Sequence, residues 1–222
     1  VKTIIAMCGL AGSGKDTACN YLVKNHGFSK TSFAAPLKAM AKIAFGFTDE
    51  QLYGPSSKRE EEDKRYPFSG ICTHCGHSCL DWSDCLPEER DVPEGFRWSC
   101  ANCEVNYKEF VTPRLALQTL GTEWGRRLND DLWAKSTINL IMGSSHERWC
   151  ISDLRFRNEL DAVLAAGGKV IRLTRGKPQH NHASETQLLS IPLSDFSAIL
   201  NNEGTIPEME RNLNQLYKDF TR

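Results

Sequence analysis

KTIIAMCGLAGSGKDTACNYLVKNHG, residues 2–27, is the stretch whose reading decides the fold. Its first part, KTIIAMC, is a short β-branched apolar run, the pattern of a strand buried on both faces. GLAGSGKDT follows, and the chain then takes helical spacing (Ala18, Tyr21, Leu22) with Gly27 as a stop. A strand, a glycine-rich turn ending in lysine, and a helix are the context that a phosphate-binding loop requires. Gly9, Gly12 and Gly14 let successive backbone N–H groups point inward, Lys15 adds a cation, and the following helix adds its N-terminal dipole. One position departs from the pattern. A Ser or Thr is expected directly after the lysine, where its hydroxyl serves a magnesium ion, but Asp16 stands there. A carboxylate beside a polyphosphate is repelled unless Mg²⁺ lies between them, and Mg²⁺ takes oxygen ligands directly or through water. Thr17 still offers a hydroxyl.

Working outward, the 222 residues suffice for one sizeable domain or a core carrying an insert. A net charge of −1 and a pI near 6.7 give no bulk attraction to nucleic acid or acidic membranes. No apolar run reaches about 18 residues, so no membrane span is expected. The apolar start runs straight into the glycine loop without a cleavage region, and the cytoplasm is the expected compartment.

Further along, FSKTSFA reads as a second strand, and Pro36 opens a helix through PLKAMAKIAFG. KREEEDKR, residues 58–65, reads as a solvated helix face or linker. TPRLALQTLGTEWGRRLN and DDLWAKSTINLIMG read as helices, with Trp124 and Trp133 assigned to the core or to stacking on a base. RWCISD is a strand ending in Asp153, RNELDAVLAAGG a helix, KVIRLT a strand, and DFSAILNNEG holds the last strand. TIPEMERNLNQLYKDF closes the chain as a helix with Thr205 as N-cap. Alternation of this kind predicts an α/β fold, a doubly wound, five-stranded parallel sheet with its ligands at the carboxyl ends of the strands.

A second constellation is SDLRFRNE, residues 152–159. Asp153 falls at a strand's carboxyl end, where it can orient metal-bound water, and Arg155 can reach a phosphate. Two phosphates that must react repel each other until cations neutralise them. A strand-end salt bridge is the plainer alternative. Lys38, Arg114, Gln118, Arg126, Arg127, Arg172 and Arg175 are further candidates, although any single arginine or lysine is more often a surface cation. Arg114 and Gln118 are four apart and share a helix face, which suits a nucleotide phosphate and a base edge.

Taken in order, GLAGSGKDT, SFAAPLKAMA, TPRLALQTLGTEWGRRLNDDLW, SDLRFRNELDAVLAAGGKVIRLTR, HASET and ILNNEGT resemble the phage-type deoxynucleoside monophosphate kinases. The resemblance covers most of the chain outside residues 67–107. It implies a P-loop nucleoside-monophosphate-kinase-like fold and transfer of the ATP γ-phosphate, with Mg²⁺, to a deoxynucleoside 5′-monophosphate. Carried over residue by residue, Lys15 and the amides of Ala11, Gly12, Ser13 and Gly14 would hold the ATP phosphates. Asp16, Thr17 and Asp153 would serve the magnesium. Lys38, Arg114, Gln118 and Arg155 would serve the acceptor nucleotide, and Arg175 the transferring phosphoryl group. Asn201, Asn202 and Gly204 would border the adenine. No strong base is needed, because an acceptor phosphate oxygen is already a nucleophile. If the chain is phage-encoded, the compartment is the host cytoplasm.

Residues 67–107 lie outside that pattern. Only seven of these 41 residues are Leu, Ile, Val or Phe, too few for an independent core. Six of the nine cysteines fall here, and in a reducing compartment such clustering argues for metal. Cys72 and Cys75, then 24 residues, then Cys100 and Cys103, form two Cys-x₂-Cys pairs with the spacing of a structural zinc ribbon. Cys79, Cys85, His74 and His77 are spare potential ligands. The expected organisation is a kinase core of residues 1–66 and 108–222 with a zinc-ribbon insert of 67–107, whose acidic content opposes phosphate contacts and fits a structural extension beside the acceptor site, or a protein or subunit contact, better. ATP and a deoxynucleoside monophosphate are the expected partners, nucleic acid is not, and a homodimer is left open. The rival readings are another small-molecule P-loop kinase of the dephospho-coenzyme A kinase type, or a zinc-ribbon nucleic-acid-binding NTPase. Cys8, Cys19 and Cys150 read as small core residues.

Overall fold

A computed structural model describes residues 2–66, 97–99, 106–108, 110–175 and 188–221. In chain order its elements begin with β1 (Thr3–Cys8), α1 (Lys15–His26), β2 (Ser29–Thr31), α2 (Ala35–Phe45), α3 (Asp49–Tyr53) and α4 (Ser56–Glu60). Then come β3 (Arg97–Ser99), β4 (Asn106–Lys108), α5 (Pro113–Gln118) and α6 (Leu132–Gly143). The last are β5 (Arg148–Leu154), α7 (Arg157–Ala165), β6 (Lys169–Thr174), β7 (Ala198–Asn201) and α8 (Ile206–Phe220). The chain divides into two compact units, Val1–Pro36 with Asn129–Arg222, and Leu37–Leu128.

The first unit is built on the expected five-stranded sheet, in the order β2-β5-β1-β6-β7, with every neighbouring pair parallel. β1 lies at its centre and alternates between two cores. Ile4, Ala6 and Cys8 join Trp149, Ile151 and Val170 on one face, against Ala134 and Ile141 of α6 and Leu160 and Val163 of α7. Ile5 and Met7 join Cys150, Ile171 and Leu173 on the other, against Ala18, Cys19 and Leu22 of α1 and Met209 and Leu213 of α8. A strand covered by helices on both faces has no solvent side, which is why KTIIAMC reads as an unbroken apolar run rather than an alternating one. Cys8, Cys19 and Cys150 are buried and free, as the sequence suggested.

Helix ends follow the chemistry of their sequences. Gly27 closes α1 in a left-handed conformation, φ 65°, its N–H donating to Leu22 O. Thr205 and Glu208 form a reciprocal capping box at the start of α8, and the Thr205 N–H holds the Glu208 carboxyl below its ordinary range. The second unit packs Ala41, Phe47, Leu52 and Ala116 with Phe45, Val111, Leu117 and Leu120, and Phe45 stacks on Phe47 at 5.0 Å.

Most of residues 58–65 is solvated, beginning in the short helix α4, as the sequence suggested; the exception is Asp63, 7% exposed, which is held by Arg65 at 2.6 Å while its N–H donates to Val111 O. The helix begun by Pro113 widens into a π-helical stretch over Thr119–Arg126. Trp133 is buried, but Trp124 is 44% exposed and leaves the core. The candidate zinc cysteines and HASET lie outside the described residues.

Candidate active site

The loop after β1 runs from the centre of the sheet into the N-terminus of α1, at the strands' carboxyl ends. Ala11 and Gly12 form its exposed tip, while Ser13 is buried. Gly9 has φ 150°, and a β-carbon there would lie 2.5 Å from Leu173 O and 2.6 Å from Ser13 Oγ, so the close approach to β6 requires glycine. Lys15 Nζ folds back over the loop, donating to Gly9 O at 2.8 Å and Leu10 O at 2.7 Å.

Burial, and next the Arg155 guanidinium, push Lys15 below the ordinary lysine range, while Asp16 and Asp153 act in the opposite direction. Arg155, Asp16 and Asp153 thus lie near enough for their charges to act on Lys15. Arg155 is exposed, and its backbone is fixed by the buried Glu159, whose Oε2 accepts from the N–H groups of Arg155 (2.8 Å) and Phe156 (3.1 Å). A lysine and an arginine near a glycine-rich loop at a helix N-terminus suit a polyanion.

The oxygen donors proposed for a metal lie around the same loop. Asp16 is 75% exposed and pairs with Lys30 of β2 at 2.7 Å, and Lys30 also donates to Asn20 Oδ1 at 3.1 Å. Thr17 is exposed. Asp153 is half-buried, its Oδ1 accepting from Phe33 N–H at 2.7 Å and its Oδ2 from Ala34 N–H at 3.2 Å. Carboxylate and hydroxyl oxygens on the first turn of α1 and the end of β5 fit a hard cation such as Mg²⁺.

Other candidates fall in several places. Asn201, Asn202 and Gly204 line a cavity of about 500 Å³ together with Glu203, Glu208, Met209, Arg211 and Asn212. Arg175 is exposed just after β6. In the second unit, Lys38 Nζ lies 4.3 Å above the Tyr53 ring, Arg114 pairs with Glu60, and Gln118 is exposed at the end of α5. Arg172, grouped above with surface cations, is 6% exposed. It donates to Leu188 O at 2.9 Å and stacks over Phe196. Sequence reasoning missed Lys30, since a lysine in a three-residue edge strand carries no pattern. It also missed the Asp153 contacts to Phe33 and Ala34, which join residues about 120 positions apart. Burial pushes the Cys8 thiol up to about 12, which marks it as a packing residue rather than a nucleophile.

Fold and loop together define a P-loop phosphate-binding α/β protein. No protein-family profile matches the chain. A protein of Acanthamoeba polyphaga mimivirus assigned as a deoxynucleotide monophosphate kinase is 31% identical over 207 residues, spanning 92% of this chain and 91% of its own. The deoxynucleotide monophosphate kinase of Enterobacteria phage T4 is 23% identical across 93% of this chain and 95% of its own. The deoxynucleoside-5′-monophosphate kinase of Escherichia phage T5 is 25% identical across 72% of this chain and 70% of its own. The chain belongs to the deoxynucleotide monophosphate kinase family, and the resemblance drawn from the sequence is borne out. Among the described residues no helix is long and apolar enough to cross a membrane.

Proposed function

We propose that the protein transfers the γ-phosphoryl group of ATP to a deoxynucleoside 5′-monophosphate, giving the diphosphate and ADP. The observation that carries this reading is the glycine loop between β1 and α1 with Lys15 folded onto it, beside Asp153 near the end of the neighbouring strand β5. The loop amides of Ala11, Gly12, Ser13 and Gly14, with Lys15, hold the ATP phosphates. Arg155 neutralises the acceptor phosphate, so that its oxygen can approach the γ-phosphorus in line. That oxygen is already anionic, and no side chain has to remove a proton. Arg175 stabilises charge on the transferring group. Lys38, Arg114 and Gln118 bind the acceptor nucleotide, and Asn201, Asn202 and Gly204 border the adenine. Mg²⁺ bound with ATP would neutralise phosphate charge, and Asp16, Thr17 and Asp153 are the residues that would hold it. The reaction supplies DNA precursors, which places it in the cytoplasm, or in the host cytoplasm for a phage protein.

The test is ADP release measured across the deoxy- and ribonucleoside monophosphates. At least one deoxynucleoside monophosphate should stimulate release and be converted stoichiometrically to its diphosphate. ATP hydrolysis stimulated by DNA, with no monophosphate converted, would overturn the reading in favour of a nucleic-acid-dependent NTPase.

We further propose that Cys72, Cys75, Cys100 and Cys103 hold a structural Zn²⁺ in an insert of residues 67–107 within a core of 1–66 and 108–222. Four thiolates leave no open coordination position, and a segment so poor in apolar residues would draw its folding energy from the metal. One observation supports this: β3 and β4 pair antiparallel with Ser99 opposite Asn106, and the sequence joining them carries the second Cys-x₂-Cys pair. Cys100→Ser should lower the zinc content and expose residues 67–107 to protease before the core. Unchanged zinc stoichiometry with unchanged proteolysis would refute the four-thiolate assignment. A homodimer formed through this insert would appear as a change of mass on metal removal.

A further inference from the structure

Asn202 follows β7 directly and is 5% exposed. Its backbone N–H donates to Thr174 O at 2.9 Å, which fixes it to the end of β6. Its side-chain Nδ2 donates to the carbonyl oxygen of Ser13 at 2.8 Å, in a bond that is itself buried. A β-carbon on Gly14 would lie 2.4 Å from that same nitrogen, so the amide rests directly against the loop, and Gly14 keeps φ 95° beneath it.

The consequence follows from peptide geometry. In a planar trans peptide the C=O and N–H point to opposite sides, and no cis bond occurs among the described residues. Holding the Ser13 carbonyl toward Asn202 therefore turns the Gly14 N–H the other way. A polyphosphate loop works through N–H groups that face the anion, and a reversed Ser13–Gly14 peptide would replace one such donor with the negative end of a dipole. Lys15 holds the carbonyls of Gly9 and Leu10, and Leu10 O also accepts from the Ser13 N–H at 3.2 Å, but with Ser13 the lysine reaches only Oγ, at 3.5 Å. The Ser13 carbonyl is secured by Asn202.

We propose that Asn202 is a positioning residue that orients the Ser13–Gly14 peptide for the donor triphosphate, a role beyond bordering a base. The inference rests on the reading of the loop as a triphosphate site. It makes the end of β7 part of the phosphate machinery and links the cavity at Asn201–Asn212 mechanically to the loop.

Two variants and two probes test it. Affinities for ATP and for inorganic tripolyphosphate, each with Mg²⁺, are measured per folded molecule for the wild type, Asn202→Ala and Asn202→Asp. Asn202→Ala should weaken both probes by about tenfold, the scale of one hydrogen bond. Asn202→Asp keeps the shape but sets an acceptor oxygen against the Ser13 carbonyl, so it should weaken both probes further. On acidification it should recover relative to wild type at the same pH, because a protonated carboxyl is again a donor. A role in packing alone would leave Asn202→Asp close to wild type. A base contact alone would reduce ATP affinity and leave tripolyphosphate unchanged. Either result overturns the proposal, and if Asn202→Ala does not fold, Asn202→Asp with its acid recovery decides. A wild-type protein that binds neither probe would instead remove the triphosphate reading of the loop, and this proposal with it.

Discussion

Lys15→Ala should reduce turnover by about a thousandfold or more while leaving the zinc content unchanged. Loss of one preorganised donor at a developing charge costs about 10²–10³ in kcat. Here the substitution also releases the carbonyls of Gly9 and Leu10, which Lys15 holds at 2.8 and 2.7 Å. The loop thus loses its cation and part of its shape in one step. Lys15→Arg should not restore activity, because a planar guanidinium cannot reproduce an ammonium that caps two carbonyls from one point. A pH dependence accompanies this. Burial and Arg155 hold the Lys15 pKa below its ordinary value of 10.5, so the cation is lost earlier as pH rises than a surface lysine would be. ATP binding should weaken on the alkaline side in that window. Arg155→Ala removes one of the two causes and should move the weakening to higher pH. Retained turnover in Lys15→Ala, measured as diphosphate formed, would falsify the role.

The sheet and its helices were legible because their signals are local. A β-branched run buried on both faces, a glycine loop and a helix with Gly27 as its stop specify β1, the loop and α1 without tertiary information. The capping pair Thr205 and Glu208 likewise announces α8. Where the reading failed, a long-range or non-standard geometry was the cause. Trp124, for which the sequence left both the core and stacking on a base open, is one such place: over Thr119–Arg126 the helix is π-helical, and Gly121 and Gly125 are buried while the indole is exposed. Arg172 did carry a signal. It lies between Ile171 and Leu173 in a strand with no alternation, and a strand apolar on both sides buries whatever sits within it.

The candidate site was legible as an inventory but not as an arrangement. The sequence placed Asp16 next to Lys15 and left its carboxylate aimed at a phosphate or a metal. The structure gives it Lys30 as a partner on the edge strand, an exposed pair of the kind that contributes less than about 1 kcal/mol. So weak a contact leaves the carboxylate available to a stronger cation. The pairing with Lys30 could not be inferred from the neighbours of Asp16 in the chain, whereas its proposed service to Mg²⁺ was suggested by them.

Asp153 bears more, and its substitution should cost both folding and catalysis. Its two carboxylate oxygens accept from consecutive N–H groups, Phe33 at 2.7 Å and Ala34 at 3.2 Å, so the end of β5 holds the turn after β2. Asparagine is no substitute, because its NH₂ would face one of those N–H groups, donor against donor. Leaving one buried donor unsatisfied costs about 1–3 kcal/mol. Asp153→Asn should therefore lower the melting temperature by several degrees, and Asp153→Ala, which abandons both amides, should lower it at least as far. The carboxylate also acts on Lys15 and is proposed to serve Mg²⁺, so kcat should fall by about a hundredfold or more. Excess Mg²⁺ separates the two roles. If metal binding were its whole contribution, saturating Mg²⁺ would restore the rate of Asp153→Asn. Pinning of the turn predicts that the deficit persists at saturation, together with the lowered melting temperature. Full restoration by Mg²⁺ with an unchanged melting temperature would show that the contacts to Phe33 and Ala34 carry no weight.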